Sequence, residues 1–423
     1  RSSPQSPGRG PTTSKRPGAK SQLVDGKELA SVLAGPSVGQ FLAELGAEVV
    51  KVENRKIGGD VTRGWRLPGE SRGGPSAYFS CCNLGKRSIA LDASTPRGRE
   101  LCRRLAGASD VVVASYKPGD AEKLGLDAAS LRADHPRLIY AQITGYGLED
   151  RRVGYDALIQ AEAGFTHMNG EPGEGGRPTK MPVALVDLLA AHQLKEAILL
   201  ALLRRERAGE GAHVHVSLMA AAVASLANQA TGYLFAGAVP QRMGSEHPSI
   251  CPYGTAFSDA EGRLLVLAVG SDAQFRALCE VLGCAELASD GRFEKNIARV
   301  AHRRELLELL TNRIRSWSRA ELLERLRQRH VPAGAIADMA AVFETPQAEA
   351  LLVRSGAGND AAVLGMRQIA WLGDGAAAVV PRPPPSFGEH SSEVLAELLC
   401  LDEEEIEALA RDGIIANRSL DTE

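Results

Sequence analysis

Short apolar runs separated by polar turns mark the chain between residues 29 and 145. The segments 29–33, Val49-Val50-Lys51-Val52-Glu53, Ser88-Ile89-Ala90-Leu91-Asp92, 110–114 and 138–143 are each brief and rich in β-branched or aliphatic residues. Such runs predict strands buried on both faces. Helical patterns lie between several of them. Phe41, Leu42 and Leu45 share one face of a segment that Gly46 would stop, and residues 98–106 read the same way. Strands alternating with helices predict an α/β fold with a parallel sheet, helices on its faces, and ligands at the carboxyl ends of its strands. Further on, 181–208 is strongly apolar and helix-forming, then turns basic at Arg204, Arg205 and Arg207. An Ala-rich helix is expected over 217–235. After Gly254 a strand over 263–269 precedes helices that run to Arg329. The change of texture marks 225–330 as a smaller domain beside a larger one over 25–224. Residues 331–380 look mixed, a Pro-rich linker follows at 381–385, and a final helix is expected at 393–410.

Composition narrows the function classes. The 423 residues allow two or three domains and a sizeable core. A net charge of -3 gives no basic field for nucleic acid, and 4% aromatics leave little base-stacking surface. No apolar run approaches membrane-spanning length, so no membrane partner is expected. The 7 cysteines form no CxxC, which argues against a disulfide framework or a zinc knuckle and for a reducing, cytoplasmic setting. Residues 1–24 contain no acid and carry Arg1, Arg9, Lys15, Arg16 and Lys20 among Ser, Thr, Pro and Gly. This segment is expected to be a disordered extension. It starts at Arg rather than Met and is read as trimmed. A transit remnant, with the mitochondrial matrix as the compartment, is the alternative.

Several positions offer chemistry. The first strand-to-helix turn reads Gly35-Pro36-Ser37-Val38-Gly39, not G-x-G-x-x-G. Glu53, 18 residues after Gly35, alone makes a weak case for a dinucleotide site. Small residues for close packing are the expected reason for that turn. The turns at 115–119 and 144–147, with Arg55, Arg63, Lys86, Arg87 and Lys123 near strand ends, suit a phosphorylated ligand or are scattered surface charge. The Gly-rich loop 169–178 carries Glu171 and Glu174. Asp187 sits in the apolar run Pro182-Val183-Ala184-Leu185-Val186-Asp187, where it must cap a helix or serve a site; Asp156 raises the same question. His213 and His215 alternate as on a strand, but no third ligand accompanies them, so no metal is expected.

An ordered set of motifs adds to this reading. Val32-Leu33-Ala34-Gly35-Pro36, the stretch 45–53, Asn83 with Lys86-Arg87-Ser88-Ile89, Lys117-Pro118-Gly119, Thr144-Gly145-Tyr146-Gly147, Gly154-Tyr155-Asp156 and Arg382-Pro383-Pro384 together resemble the family III CoA-transferases. That family includes formyl-CoA transferase, carnitine CoA-transferase and succinyl-CoA:glutarate CoA-transferase, and the 2-methylacyl-CoA racemases share its fold. The resemblance runs from about Ala30 to about Gly388. It implies a Rossmann-like large domain that does not bind NAD, built from both chain ends (25–224 and a return over 331–423) around a smaller α+β domain (225–330), and an obligate homodimer of interlocked chains. It also implies acyl-CoA and a carboxylic acid as substrates, with no tightly bound cofactor. By position, Val32, Leu33, Asn54, Arg55, Leu91, Ser115, Asp120, Lys123 and Tyr146 would bind CoA. Ser115 stands where the family commonly has Asn, Lys123 where it has Arg, and Thr144 where formyl-CoA transferase has Lys.

The resemblance also places an acid nucleophile in the Gly-rich loop, 12 residues before the acid that here is Asp187. That count falls on Gly175, so Glu174 is the expected nucleophile and Glu171 the reserve, with Asp187 and Asp156 completing the catalytic set. The implied product is a covalent glutamyl-CoA thioester. The loop 244–248 is a candidate lid. Racemases place a His where this chain has Tyr155, which removes the neutral-pH base. Transferase therefore ranks above racemase or isomerase, and a silent acyl-CoA-binding dimer is the third reading. Arg177 and Lys180 could receive the second carboxylate of a dicarboxylic acid.

Overall fold

The computed structural model describes residues 24–71, 73–355, 361–370 and 381–416; residues 1–23 of the basic extension lie outside them. Strands β1 (Gly26–Leu29), β2 (Val49–Asn54), β3 (Lys86–Leu91), β4 (Val111–Ala114), β5 (Ile139–Thr144), β6 (His213–Ser217) and β12 (Ile415–Ala416) form one sheet in the order β12-β3-β2-β1-β4-β5-β6. The pairings β3–β2, β2–β1, β1–β4 and β4–β5 are parallel, and β12 closes antiparallel on β3. This is the α/β architecture that the alternation of strands and helices predicts. The apolar runs are buried on both faces because helices cover both sides of the sheet. Val50, Ile89, Val112 and Tyr140 pack with Leu101, Leu105, Val394 and Ile406 in one core.

The turn after β1 shows why its small residues are there. A Cβ on Gly35 would lie 2.4 Å from the Cβ of Ala30, and one on Gly39 would lie 2.0 Å from Glu28 Oε2. The helix Ala34–Glu44 thus runs almost in backbone contact with β1 and its turn.

The chain divides into two compact units: one of residues up to Thr144, Ala191–Val216 and from Val353 onward, the other of Gly145–Ala190 and Ser217–Leu352. The second unit thus takes in 145–190 and 331–352, beyond the 225–330 that the change of texture marks. Its core combines the antiparallel sheet β7 (Tyr253–Ser258), β8 (Leu264–Ala268) and β9 (Ala333–Ala335) with helices Asp272–Val281, Arg303–Ile314 and Arg319–Gln328. Arg299 is fully buried there. Its guanidinium donates to the carbonyls of Cys251 (2.8 Å) and Phe293 (2.9 Å) and to Asp272 Oδ1 (2.8 Å). Strands β10 (Leu352–Arg354) and β11 (Val363–Met366) make a small two-stranded sheet.

Two helices expected as single pieces are each broken. The run over 217–235 splits into Leu218–Ala224 and Ala227–Ala236, with Ala227 in the left-handed region at φ 49°. The run over 393–410 splits into Ser391–Leu399 and Glu403–Arg411. There Cys400 turns the chain at φ 56°, and Asp402 opens the next helix with a capping box to Glu405. Periodicity alone does not register the first break, because the run is apolar and Ala-rich all round, and its second piece buries none of its residues.

Candidate functional site

In the first unit, the carboxyl ends of β1, β2, β3 and β4 surround a cleft of about 330 Å³. It opens where the strand order reverses between β1 and β4, the position at which doubly wound sheets bind ligands. Asn54, Leu91 and Ser115, three of the expected CoA contacts, line it, along with Lys56, Tyr116 and Leu124. Val32, Leu33, Arg55, Asp120 and Lys123 lie outside that lining. Asp120 and Lys123 pair with each other at 2.8 Å on the helix Asp120–Leu124, and only its last residue, Leu124, reaches the cleft.

The cleft stands on a buried ionic network that the sequence reading did not find. Lys51 Nζ lies 2.7 Å from Glu28 Oε1 and 2.9 Å from Asp60 Oδ2, and donates to the Ala30 carbonyl at 2.8 Å. Lys86 Nζ completes it, 2.5 Å from Glu28 Oε2 and 2.8 Å from Asn83 Oδ1. Burial alone would raise the Asp60 carboxyl, but the Lys51 ammonium and the bonds from Thr62 hold it below the usual carboxylate range. Asp60 also accepts from the Val32 amide at 3.2 Å. Val32 is β-branched, yet it sits at φ 72°, a strained conformation that the network over-determines. The turn above the cleft is thereby fixed before any ligand arrives. Lysines and acids on alternating strand positions carried no signal of this pairing, since each reads singly as a surface charge.

The basic residues considered for a phosphorylated ligand divide accordingly. Lys86 and Arg87 open β3 rather than close it, which puts them at the sheet edge away from the cleft. Arg87 is held by Glu393 (2.9 Å) and Glu397 (2.7 Å). Arg63 is committed to Glu53, with contacts of 2.6 and 2.8 Å. Two lysines line the cleft: Lys51, buried and engaged with Glu28 and Asp60, and Lys56, 59% exposed, 3.2 Å from Asp92 Oδ2 and 2.6 Å from Ser94 Oγ. His213 and His215 bond to the neighbouring strand, at 3.2 Å to Gln142 Oε1 and 2.9 Å to Thr144 Oγ1. Among the described residues no group of three His, Cys, Asp or Glu is placed to hold a metal ion.

The acids belong to the second unit. Residues 169–179 form a hairpin: Glu171 N donates to the Arg177 carbonyl at 3.2 Å, and Thr179 N to the Asn169 carbonyl at 2.9 Å. Glycines allow it, since a Cβ on Gly170 would lie 2.1 Å from the Arg177 carbonyl. Glu174 and Glu171 both stand exposed on this hairpin. Asp187 lies in the first turn of the 24-residue helix Leu185–Ala208 and is only 8% exposed. Its carboxyl makes no hydrogen bond among the described residues. Burial first, and the nearby Asp156 carboxylate second, push it up to about 7. Asp156 accepts from Val186 N at 2.8 Å and from Gln160 Nε2 at 2.7 Å. The structure thus brings Asp156 and Asp187 together, and leaves the two hairpin glutamates in water. Tyr146 is also in this unit, its ring under the Arg152 guanidinium at 3.7 Å.

Comparisons with known proteins identify the family. The description "CoA-transferase family III" matches residues 27–391. The chain belongs to that family. It is a transferase, as its relatives are. A succinate–glutarate CoA-transferase from Agrobacterium fabrum is 42% identical over 380 residues, covering 88% of this chain and 94% of that protein. A human succinyl-CoA:glutarate CoA-transferase is 33% identical over 396 residues, covering 92% of this chain and 88% of that protein. Among solved structures, a CaiB/BaiF family protein from Brucella suis superposes with a TM-score of 0.77 at 41% identity, covering 89% of this chain and 98% of that one. No helix among the described residues of this family III chain is long and apolar enough to cross a membrane.

Proposed function

We propose that the chain moves CoA between carboxylic acids, with CoA bound in the cleft at the strand ends and Asp187 as the covalent nucleophile. One observation carries the choice of Asp187: it is a buried carboxyl with no hydrogen-bond partner among the described residues, pushed up by burial and by Asp156 to about 7. A buried polar group left unpaired is costly, and such groups concentrate where they react. An anhydride or thioester on exposed Glu174 would stand in water, where it hydrolyses; one on Asp187 is sheltered.

The reaction needs neither metal nor ATP, because each step exchanges groups of similar energy. The Asp187 carboxylate attacks the donor thioester carbonyl and the C–S bond breaks. This leaves a mixed anhydride and CoA thiolate. The thiolate attacks the aspartyl carbonyl, which expels the donor acid and forms an enzyme–CoA thioester. The acceptor carboxylate attacks that thioester, and the released thiolate then takes the acceptor's acyl carbonyl. Acyl-CoA leaves and the Asp187 carboxylate is restored. Tyr155, 58% exposed, supplies no neutral-pH base, so racemisation is disfavoured.

The names of the relatives support a dicarboxylic pair, with succinyl-CoA as donor. Arg177 and Lys180, exposed at the end of the hairpin, are the cations proposed to meet the second carboxylate. Changing both to Ala should weaken dicarboxylate acceptors more than monocarboxylates; equal loss for both would refute the assignment. The nucleophile is tested by intact mass after incubation with succinyl-CoA. A CoA-sized adduct should form on the wild type and disappear in Asp187→Asn.

A further inference from the structure

We infer that Gln160 is the positioning residue of the nucleophile, a deepening that rests on the reading of Asp187 above. Gln160 is fully buried, on the two-turn helix Asp156–Glu162, four residues after Asp156 and on the same face. Its side-chain amide makes bonds in two directions. Nε2 donates to Asp156 Oδ2 at 2.7 Å and leans on the Val183 and Met181 carbonyls at 3.4 and 3.5 Å. Oε1 accepts from Met181 N at 2.8 Å. The amide orientation is determined by its partners, since a carboxylate needs a donor and an N–H needs an acceptor. One side chain thus holds both the strand of chain 181–183 that leads into the helix Leu185–Ala208 and the carboxylate of Asp156. Asp156 in turn accepts from Val186 N at 2.8 Å, the residue before Asp187. The relay Gln160–Asp156–Val186 N fixes where the first turn starts, and therefore where the Asp187 carboxyl stands. Without it, Asp156 loses its only side-chain donor among the described residues, and the lead-in 181–183 loses its anchor.

The test compares Gln160→Leu and Gln160→Glu with the wild type, reading the rate of CoA-adduct formation from succinyl-CoA across pH 5–8, with the circular dichroism spectrum and thermal melt of each variant as the control for folding. The leucine can neither donate nor accept, so the rate should fall about 10- to 100-fold at every pH while the KM for succinyl-CoA changes little, the signature of lost placement rather than lost binding. A protonated glutamic acid can copy the amide, its O–H donating to Asp156 and its C=O accepting from Met181 N. Once ionised it faces Asp156 with like charge. The charged and titratable groups about this point are Asp156, Asp187 and Lys180, whose Nζ donates to the same Met181 carbonyl at 3.0 Å. Gln160→Glu should therefore recover rate at pH 5 relative to Gln160→Leu and lose that advantage by pH 8. A merely structural glutamine would give two variants of equal rate and unchanged pH profile, and that result overturns the inference. Asp187→Asn runs beside them. If it still forms the adduct, the assignment of the nucleophile fails; if it does not, a null result at Gln160 counts against the positioning role alone.

Discussion

Burial, with Asp156 adding to it, keeps Asp187 protonated up to about pH 7 in the folded protein, whereas the ordinary carboxyl value is 3.8. Between those two values the native state binds the proton and the unfolded chain does not. Stability is therefore lost as pH rises through that window, by on the order of 2–4 kcal/mol when complete. Asp187→Asn removes the ionisable group and should melt several degrees above the wild type at pH 8, with little difference at pH 4. Equal melting at both values would contradict the burial account. The same group must be ionised to attack, so kcat/KM for succinyl-CoA should rise with pH along a limb near 7; a limb near 4 would point to an exposed carboxyl instead. At this scale the sequence was partly readable. An acid inside an apolar run forces the question of what satisfies it, and Asp187 and Asp156 were both singled out. The choice of Glu174 rests on a count across a glycine-rich stretch, where a hairpin can take up residues without any mark in the pattern.

Among the elements, the turn from β1 into the helix Ala34–Glu44 ties fold to site. Lys51 neutralises Glu28 and Asp60 at once. Lys51→Met should leave two buried carboxylates without that partner and cost about 3–5 kcal/mol, read as a fall in the urea midpoint. Loss of less than 1 kcal/mol would mean that water or Lys86 compensates. Gly39→Ala should be as damaging, since the added Cβ would meet Glu28 Oε2 at 2.0 Å and the Lys86 side chain at 3.0 Å. The strands themselves were legible, because β-branched runs bounded by Gly and Pro have few other solutions. Their ends were less so. Strand β3 opens at Lys86, so Lys86 and Arg87 stand at its amino end, opposite the ligand end, and are taken up by ion pairs to Glu28, Glu393 and Glu397. Helix breaks at Ala227 and Cys400 carry no compositional mark, because neither left-handed position holds the glycine or asparagine that usually signals one.

For the whole molecule, the α/β fold follows from the order of its elements, and the pairing of distant segments does not. Strand β12 joins β3 from the far end of the chain, a contact that no local pattern specifies. The homodimer that the resemblance implies is an expectation that belongs at this scale too. Leu234 and Phe235 on the helix Ala227–Ala236 are 71% and 89% exposed, more large apolar surface than an isolated helix end normally leaves to water. Sedimentation should give twice the chain mass, and the pair Leu234→Glu with Phe235→Glu should shift it toward one; a monomeric wild type would contradict the dimer. The central claim is that Asp187 carries the CoA. Its most direct test is to incubate the protein with succinyl-CoA, reduce the thioester with borohydride, and sequence the peptides by mass spectrometry. The account predicts that the carboxyl converted to an alcohol is Asp187, with Glu174→Ala and Glu171→Ala still labelled there. A label on Glu174, or a label that survives Asp187→Asn, would contradict it.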